Sequence, residues 1–245
     1  MGLLSDLKVL YHIVLRPVRG KTHEQRLESF YGGQAEAYDD FRKRLLQGRE
    51  DVYRRLGQDN SGVWVDFGGG TGANLEFIGE PISKFSSVYV VDLSSSLLNV
   101  ASKRANERGW TQVKPTHADA TTWQPPEGSA DVVTFSYSLT MIPDWFAAIE
   151  NALRILKPGG VIGVVDFYVS RKFPNENLKK HGWLTRTFWP VWFASDNVFP
   201  SVDHIPFLQR KFETVLLNEC KGKIPYFPLL KMPYYQFIGR KPAAS

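Results

Sequence analysis

A chain of 245 residues, 43% hydrophobic and 22% charged, has the length and composition to bury one substantial core. Its single cysteine, Cys220, excludes an internal disulfide and points to a reducing, intracellular setting, in the cytoplasm or on a membrane surface. No apolar run reaches the roughly 20 residues that cross a bilayer. The histidines (His12, His23, His117, His181 and His204) are scattered and give no metal-ligand spacing. The net charge of +5 is unevenly spread: residues 1–60 carry 11 basic and 9 acidic side chains, residues 61–170 carry 7 and 11, and residues 171–245 carry 12 and 5. The positive last third also holds Trp183, Trp189 and Trp192 and most of its Phe and Tyr after Phe188. Basic residues interleaved with aromatics suit an anionic, partly apolar surface such as lipid headgroups or a nucleic acid, and equally a solvated face over an aromatic core.

In chain order, Leu3, Leu7, Leu10 and Val14 recur at helical spacing before Arg16 and Pro17 close the segment. That helix either docks on the body or lies on a membrane surface. Residues 24–56 read as one or two helices. From residue 61 the pattern alternates strand and helix. Strands are expected at Val63–Phe67, Ser87–Leu93, Val113–His117, Asp131–Tyr137 and Val161–Phe167, with helices after Gly72, at Leu97–Arg108 and at Trp145–Leu156. Such alternation predicts an α/β fold with a parallel sheet. Lys157–Gly160 reads as a turn before the fifth strand. Residues 168–208, with three tryptophans and little periodicity, read as a cap insertion over the sheet's carboxyl edge. Phe212–Leu217 and Tyr234–Arg240 are expected to close a seven-stranded sheet as an antiparallel hairpin. Residues 1–245 thus form one expected domain: a helical segment (1–60), a core (61–167), the cap (168–208) and closing strands (209–245).

The chemistry centres on Asp66–Gly72. A short apolar strand runs into four glycines within five residues, Gly68, Gly69, Gly70 and Gly72. Glycine lets a backbone turn tightly and lie against a ligand with no Cβ between them. Gly68, Gly70 and Ala73 fit the dinucleotide fingerprint; Asp66, Gly68, Gly70 and Gly72 also fit Asp-x-Gly-x-Gly-x-Gly. Asp92 ends the second strand, placed to accept hydrogen bonds from ribose hydroxyls or to cap a helix. Asp119 follows the third strand in His117–Ala120, as a ligand contact or as an Asx turn.

The glycine loop, Asp92, Asp119, the fourth strand running into Leu139–Pro143, and Lys157–Gly160 occur in the order found in class I methyltransferases. Residues 60–168 resemble that family. The resemblance implies a Rossmann-like fold and S-adenosyl-L-methionine as cofactor. It places Gly68, Gly70 and Gly72 beside the methionine part, with Asp66 in the same motif. Asp92 falls on the ribose, Asp119 and Ala120 near the adenine, Ser136 and Tyr137 towards the transfer site, and Tyr38 as a lid. Arg49 and Arg42 are candidates for pairing with the methionine carboxylate of the cofactor or with a carboxylate of the substrate, a solvated helix face being the alternative for Arg42 above all.

The flanks, Tyr31–Asp39, Leu45–Arg49, Phe188–Phe193, His204–Leu208 and Met232–Arg240, resemble the methyltransferase domain of betaine-lipid synthases. That narrower resemblance implies three N-methylations of diacylglyceryl homoserine. It also implies contact with a membrane surface and a separate domain or protein for aminocarboxypropyl transfer; no nucleic-acid partner is expected. An alkylammonium must lose its proton before accepting a methyl, so a base or a dry pocket would help. His117, Tyr137, Asp166, His181 and His204 are the candidates, each with a structural alternative. Tyr31, Tyr38, Tyr137 and the cap tryptophans could face a quaternary ammonium, or simply pack. Three rivals stand beside this reading: methylation of a quinone precursor or other amphipathic small molecule, an NAD-dependent oxidoreductase, and a non-catalytic module that binds membrane or RNA.

Overall fold

The computed structural model describes residues 22, 24, 25, 28, 45–194, 197–224 and 227–243, with backbone alone at 227–229. The expected helix over 3–15, and Tyr31, Tyr38 and Arg42, lie outside the described residues.

The centre of the sheet is β1 (Gly62–Phe67), which pairs in parallel with β2 (Phe85–Asp92) on one side and β4 (Ala130–Ser136) on the other. Beyond β2 lies β3 (Val113–His117); beyond β4 lie β5 (Leu156–Phe167), then β7 (Phe227–Arg240) and β6 (Glu213–Ile224). The order is therefore β3-β2-β1-β4-β5-β7-β6, with β7 antiparallel to both neighbours. This is the Rossmann-like sheet expected, mostly parallel and closed by an antiparallel hairpin. The chain runs outward from β1 to β3 and then returns to β4 on the other side. In open α/β sheets the crevice for a ligand forms outside the carboxyl ends of the strands at such a reversal.

Alternation along the strands feeds two cores. Val63, Val65 and Phe67 join Val133, Phe135, Ile162 and Val164 on one face, covered by α3 (Trp145–Ile155) through Ala148, Ile149, Ala152 and Ile155. Trp64, Val88, Val90, Val132 and Val161 form the other, covered by α1 (Arg49–Asp59) and α2 (Ser95–Glu107). Each apolar set recurs every three or four residues, which is what buries one stripe of a helix. Ser94 and Asp144 cap α2 and α3 by accepting from the N–H groups of Leu97 and Ala147. A closer fit brings α1 onto β5: a Cβ at Gly163 would stand 2.4 Å from Leu56 Cδ1 and 3.0 Å from Val52 Cγ1.

Two carboxylates are fully buried in this framework. Asp66 Oδ1 accepts from Tyr53 Oη of α1 at 2.6 Å and from Thr134 Oγ1 of β4 at 2.8 Å, while Trp64 Nε1 donates to the same threonine at 2.8 Å. Asp166 accepts from Thr140 Oγ1 at 2.8 Å, Thr140 N at 3.2 Å and Phe167 N at 2.7 Å. Burial pushes Asp66 up to about 6 and Asp166 up to about 7, against the hydrogen bonds that favour ionisation.

The structure departs from the sequence reading in four places. The expected helix after Gly72 is two short 3-10 turns, Ala73–Phe77 and Glu80–Lys84, because Gly79 (φ 68°) and Pro81 interrupt it. Lys157–Gly160 lies at the start of β5, where pairing jumps from Ala130↔Leu156 to Val132↔Val161 and leaves the four residues as a bulge. The cap contains a helix, α4 (Trp183–Ala194), and the segment after it a second, α5 (His204–Lys211), which runs past the expected boundary at 208. α4 is apolar on its inner and outer sides alike, so no single stripe shows in its sequence. The closing strands are also longer than expected, at 12 and 14 residues.

Two tests follow from this packing. Gly163→Ala should lower stability by about 1–3 kcal/mol, the usual range for forcing a methyl into a full core, read as a drop in urea midpoint with unchanged slope. Because both acids titrate higher when folded than when unfolded, their contribution is complete below pH ~4 and lost as pH rises through about 6 to 7. Asp66→Asn should therefore flatten the fall in stability between pH 4 and 6; an unchanged slope would remove Asp66 from this account.

Candidate cofactor and transfer site

A cavity of about 510 Å³ opens at the carboxyl ends of β1, β2, β3 and β4. Each strand sends one connection into its wall. From β1 come Gly68 and Gly70, from β2 Asp92 and Leu93, from β3 Ala118–Thr121, and from β4 Tyr137, Ser138 and Met141–Asp144. Thr22 and Glu24 add a rim from the amino-terminal segment, where Gln25 N donates to Thr22 Oγ1 and Thr22 N to Gln25 Oε1, a capping box.

The loop after β1 is bare backbone where it meets the cavity. Gly68 has φ 65°, and a Cβ there would stand 2.4 Å from Ser138 Cβ, so only glycine lets the β1 and β4 loops cross. Gly70 and Gly72 also take positive φ. Asp92 pins this loop: its Oδ2 accepts from Gly70 N at 3.0 Å and its Oδ1 from Ser94 N at 2.9 Å. The same carboxylate thus fixes the glycine loop, starts α2 and borders the cavity. Asp119 lines the cavity and also makes the Asx turn, its Oδ1 accepting from Thr121 N and Oγ1, each at 2.8 Å.

Tyr137 takes φ 52°, a left-handed conformation rare for a bulky side chain. Its N donates to Val165 O at 2.7 Å, its Oη donates to Gln47 O at 2.7 Å, and its ring packs 4.5 Å from Phe167. Burial and the Asp166 carboxylate push its phenol well up, so it is a donor and a wall, not a base.

Of the expected site residues, the cavity wall therefore gathers Gly68, Gly70, Asp92, Asp119, Ala120 and Tyr137. The others are placed elsewhere. Asp66 lies beneath the loop and contacts Tyr53 and Thr134. Gly72 turns the chain behind the wall, its absent Cβ facing Ala101. Ser136 is buried, with its Oγ lacking a hydrogen-bond partner among the described residues. Arg49 is buried too: its Nε donates to Leu46 O and its Nη1 to Asn74 Oδ1, both at 2.8 Å, and its guanidinium lies over Phe77.

The expected bases are corrected in the same way. His204 is fully buried between Trp145 and Tyr235, and burial alone pulls it down to about 3. It is a neutral core side chain. His181 accepts from Ser170 N and packs on Tyr168 in the cap. Asp166 spends its lone pairs on Thr140 and Phe167, shaping the loop that walls the cavity. His117 is on the rim, its Nε2 2.9 Å from Leu93 O and 3.2 Å from Glu24 Oε1. What the sequence reading missed is the Met141–Asp144 wall and the Thr22–Glu24 rim. The first follows from the rule that loops at strand carboxyl ends build such sites; no local pattern signals the second.

S-adenosylmethionine fits this site on two observations. Gly68 and Gly70 present bare backbone to it, and its wall carries four acidic side chains (Glu24, Asp92, Asp119 and Asp144) with no Lys or Arg among the described residues. Such a wall suits a cationic sulfonium. Gly68, Gly70, Asp92, Asp119 and Ala120 are the residues that would hold it.

Comparison with known proteins agrees. A family profile described as "Methyltransferase domain" matches residues 36–220. Similar curated proteins include "Demethylmenaquinone methyltransferase" of Geobacillus kaustophilus, 31% identical over 119 residues, covering 49% of this chain and 51% of the relative. "Ubiquinone/menaquinone biosynthesis C-methyltransferase UbiE" of Vibrio cholerae is 26% identical over 169 residues, covering 66% and 65%. The chain spans about half the length of the Geobacillus relative and two thirds of the Vibrio one. Among solved structures, "Phospholethanolamine N-methyltransferase 2" of Haemonchus contortus, bound to S-adenosylhomocysteine, superposes with TM-score 0.67 at 16% identity, over 91% of this chain and 61% of that one. With three quarters of its length inside the profile and the loop, carboxylate and cavity in place, this chain belongs to the methyltransferase domain family.

Proposed function

We propose that the acceptor is the ring of a quinone precursor, an uncharged and largely apolar molecule, in preference to the diacylglyceryl homoserine expected from the flank motifs. The observation that carries this reading is the apolar part of the cavity wall, where Leu97, Met141, Ile142 and Pro143 offer their surface to a ring. The names of the Geobacillus and Vibrio relatives, both quinone methyltransferases, support the same choice.

When bound, S-adenosylmethionine supplies an electrophilic methyl on a sulfonium; the chain supplies alignment and a place for the proton. Tyr137, held by backbone and hydroxyl alike, fixes one wall. A hydroxylated ring becomes nucleophilic as its O–H proton leaves, and the acidic side chains of the wall are the groups placed to take it. The lipid-amine reading stands as the alternative, with the separate aminocarboxypropyl-transferring partner it requires.

Two measurements address these assignments. Asp92→Ala should weaken S-adenosylhomocysteine binding by about ten- to a hundredfold in calorimetry, the scale of losing hydrogen bonds to a charged group. Near-normal affinity would move the cofactor site away from β2. Supplied side by side with labelled cofactor, a reduced demethylated naphthoquinol and diacylglyceryl homoserine in mixed micelles should separate the two acceptors. At least about tenfold higher kcat/KM for the quinol, a difference of about 1.4 kcal/mol in transition-state binding, is expected. Methylated lipid with no methylated quinol would return the assignment to the betaine lipid.

A further inference from the structure

α4 carries an apolar stripe on the side away from the core. Trp189 and Phe193 point inward, Phe193 stacking on Phe167 at 4.7 Å. Leu184 (64% exposed) and Val191 (71%) point to the opposite face with Trp183 (67%) beside them, and Phe188 and Trp192, partly exposed and packed against Trp189, flank it. A surface helix ordinarily turns charge outward, and an exposed apolar patch of this kind marks a contact.

The start of the helix is basic. Arg171, Lys172, Lys179, Lys180 and Arg186 fall in residues 171–194 with one acid, Glu176; Arg171 is paired with Asp203 and Lys179 is held by Glu219, so Lys172 and Lys180 carry the charge beside Phe173. Just before the helix Phe173, 77% exposed, lies between two of these cations, with Lys172 Nζ 5.4 Å and Lys180 Nζ 5.5 Å from its ring centre. An outward aromatic flanked by lysines beside a tryptophan-bearing stripe is the chemistry of a helix lying in the headgroup layer of an anionic bilayer. No helix among the described residues is long and apolar enough to cross a membrane. A second copy of this chain fits less well, because a symmetric pairing through the stripe would bring the same lysines together.

We propose that the outward face of α4, with Phe173 and its lysines, docks the protein on an anionic lipid surface. The segment that bears this face is tied to the cavity wall. Phe199 N, in the segment after α4, donates to Thr140 O at 2.8 Å, and Thr140 belongs to the loop that supplies Met141–Asp144 to the wall. Tyr137, Phe167 and Phe193 form a chain of ring contacts, the first tilted and the second stacked, from that wall to the inner side of α4. An acceptor dissolved in the bilayer would therefore find the cavity at the docked edge.

Flotation of the full chain with phosphatidylcholine vesicles, with and without about 30 mol % phosphatidylglycerol, tests this without cofactor or acceptor. Failure here leaves the methyl-transfer reading untouched. The protein should float with the anionic vesicles, and raising salt from about 0.1 to 1 M should weaken binding as the screening length falls from about 10 to 3 Å. Replacing Trp183, Leu184, Phe188 and Val191 by serine should reduce partition at least about tenfold, with the melting temperature held as a check on folding. Lys172→Glu with Lys180→Glu should do the same for anionic vesicles alone, and keeps the test alive if the serine variant misfolds. Deleting residues 1–20 should leave binding in place. The proposal is overturned by a wild-type chain that stays unbound, by full binding in both variants, by binding that resides in residues 1–20, or by a dimer that the serine variant dissolves.

Discussion

The whole arrangement rests on one buried carboxylate. Asp66 sits at the end of β1 with no exposure to water, and three elements meet on it: β1 itself, α1 through Tyr53, and β4 through Thr134. Removing a carboxylate from water costs several kcal/mol, repaid only where the hydrogen bonds are well placed. Here they are short and converge on one oxygen, while the second oxygen is left without a partner among the described residues. Burial is why Asp66 holds its proton to about 6, against the hydrogen bonds from Tyr53 and Thr134 that favour the carboxylate. The carboxylate also supports the loop above it, since a Cβ on Gly69 would stand 2.8 Å from Asp66 Oδ2. The loop is seated directly on the network. Asn74 extends it outward, donating to Tyr53 Oη at 3.4 Å and accepting from Arg49.

This framework explains why Asp66 and Arg49, both expected to touch the cofactor, act beneath it instead. A conserved-looking motif position is not a contact; it can equally be the group that makes the contacting backbone rigid. Preorganised backbone matters at such a site because a ligand then orders nothing as it binds. Asp92 does the second half of that work from the other side, holding Gly70 N and Ser94 N with one carboxylate.

The sequence exposed the fold and the cofactor half of the site more fully than the acceptor half. Local periodicity wrote β1 to β5, α2 and α3 within a few residues, since each has one buried face and a clear boundary. Gly68, Gly70, Asp92, Asp119 and Ala120 were legible because a backbone cradle at a strand end has few chemical solutions. The histidines were misread for a physical reason: reactivity depends on exposure and partners, which composition does not carry. His204 follows Asp203, yet its ring ends among Trp145 and Tyr235. α4 was hidden by being apolar all round, a pattern that a period-based reading takes for irregular structure.

Tyr137 joins the two halves. A non-glycine residue in the left-handed region costs about 1–3 kcal/mol and persists only where its surroundings overdetermine it. Glycine would remove that cost but would also remove the phenol that reaches Gln47 O and the ring that meets Phe167. Gln47 in turn donates to Lys223 O in β6, so the strained residue ties the cavity wall to the entrance of α1 and to the closing hairpin. The reversal at Tyr137 also brings Ser138 under Gly68, where its Oγ donates to Phe67 O at 3.0 Å. One distorted residue therefore sets where the β4 loop crosses the glycine loop and where the wall facing α4 begins. The cofactor cradle and the acceptor side share that hinge point, so the geometry between them is fixed by the fold before either ligand arrives.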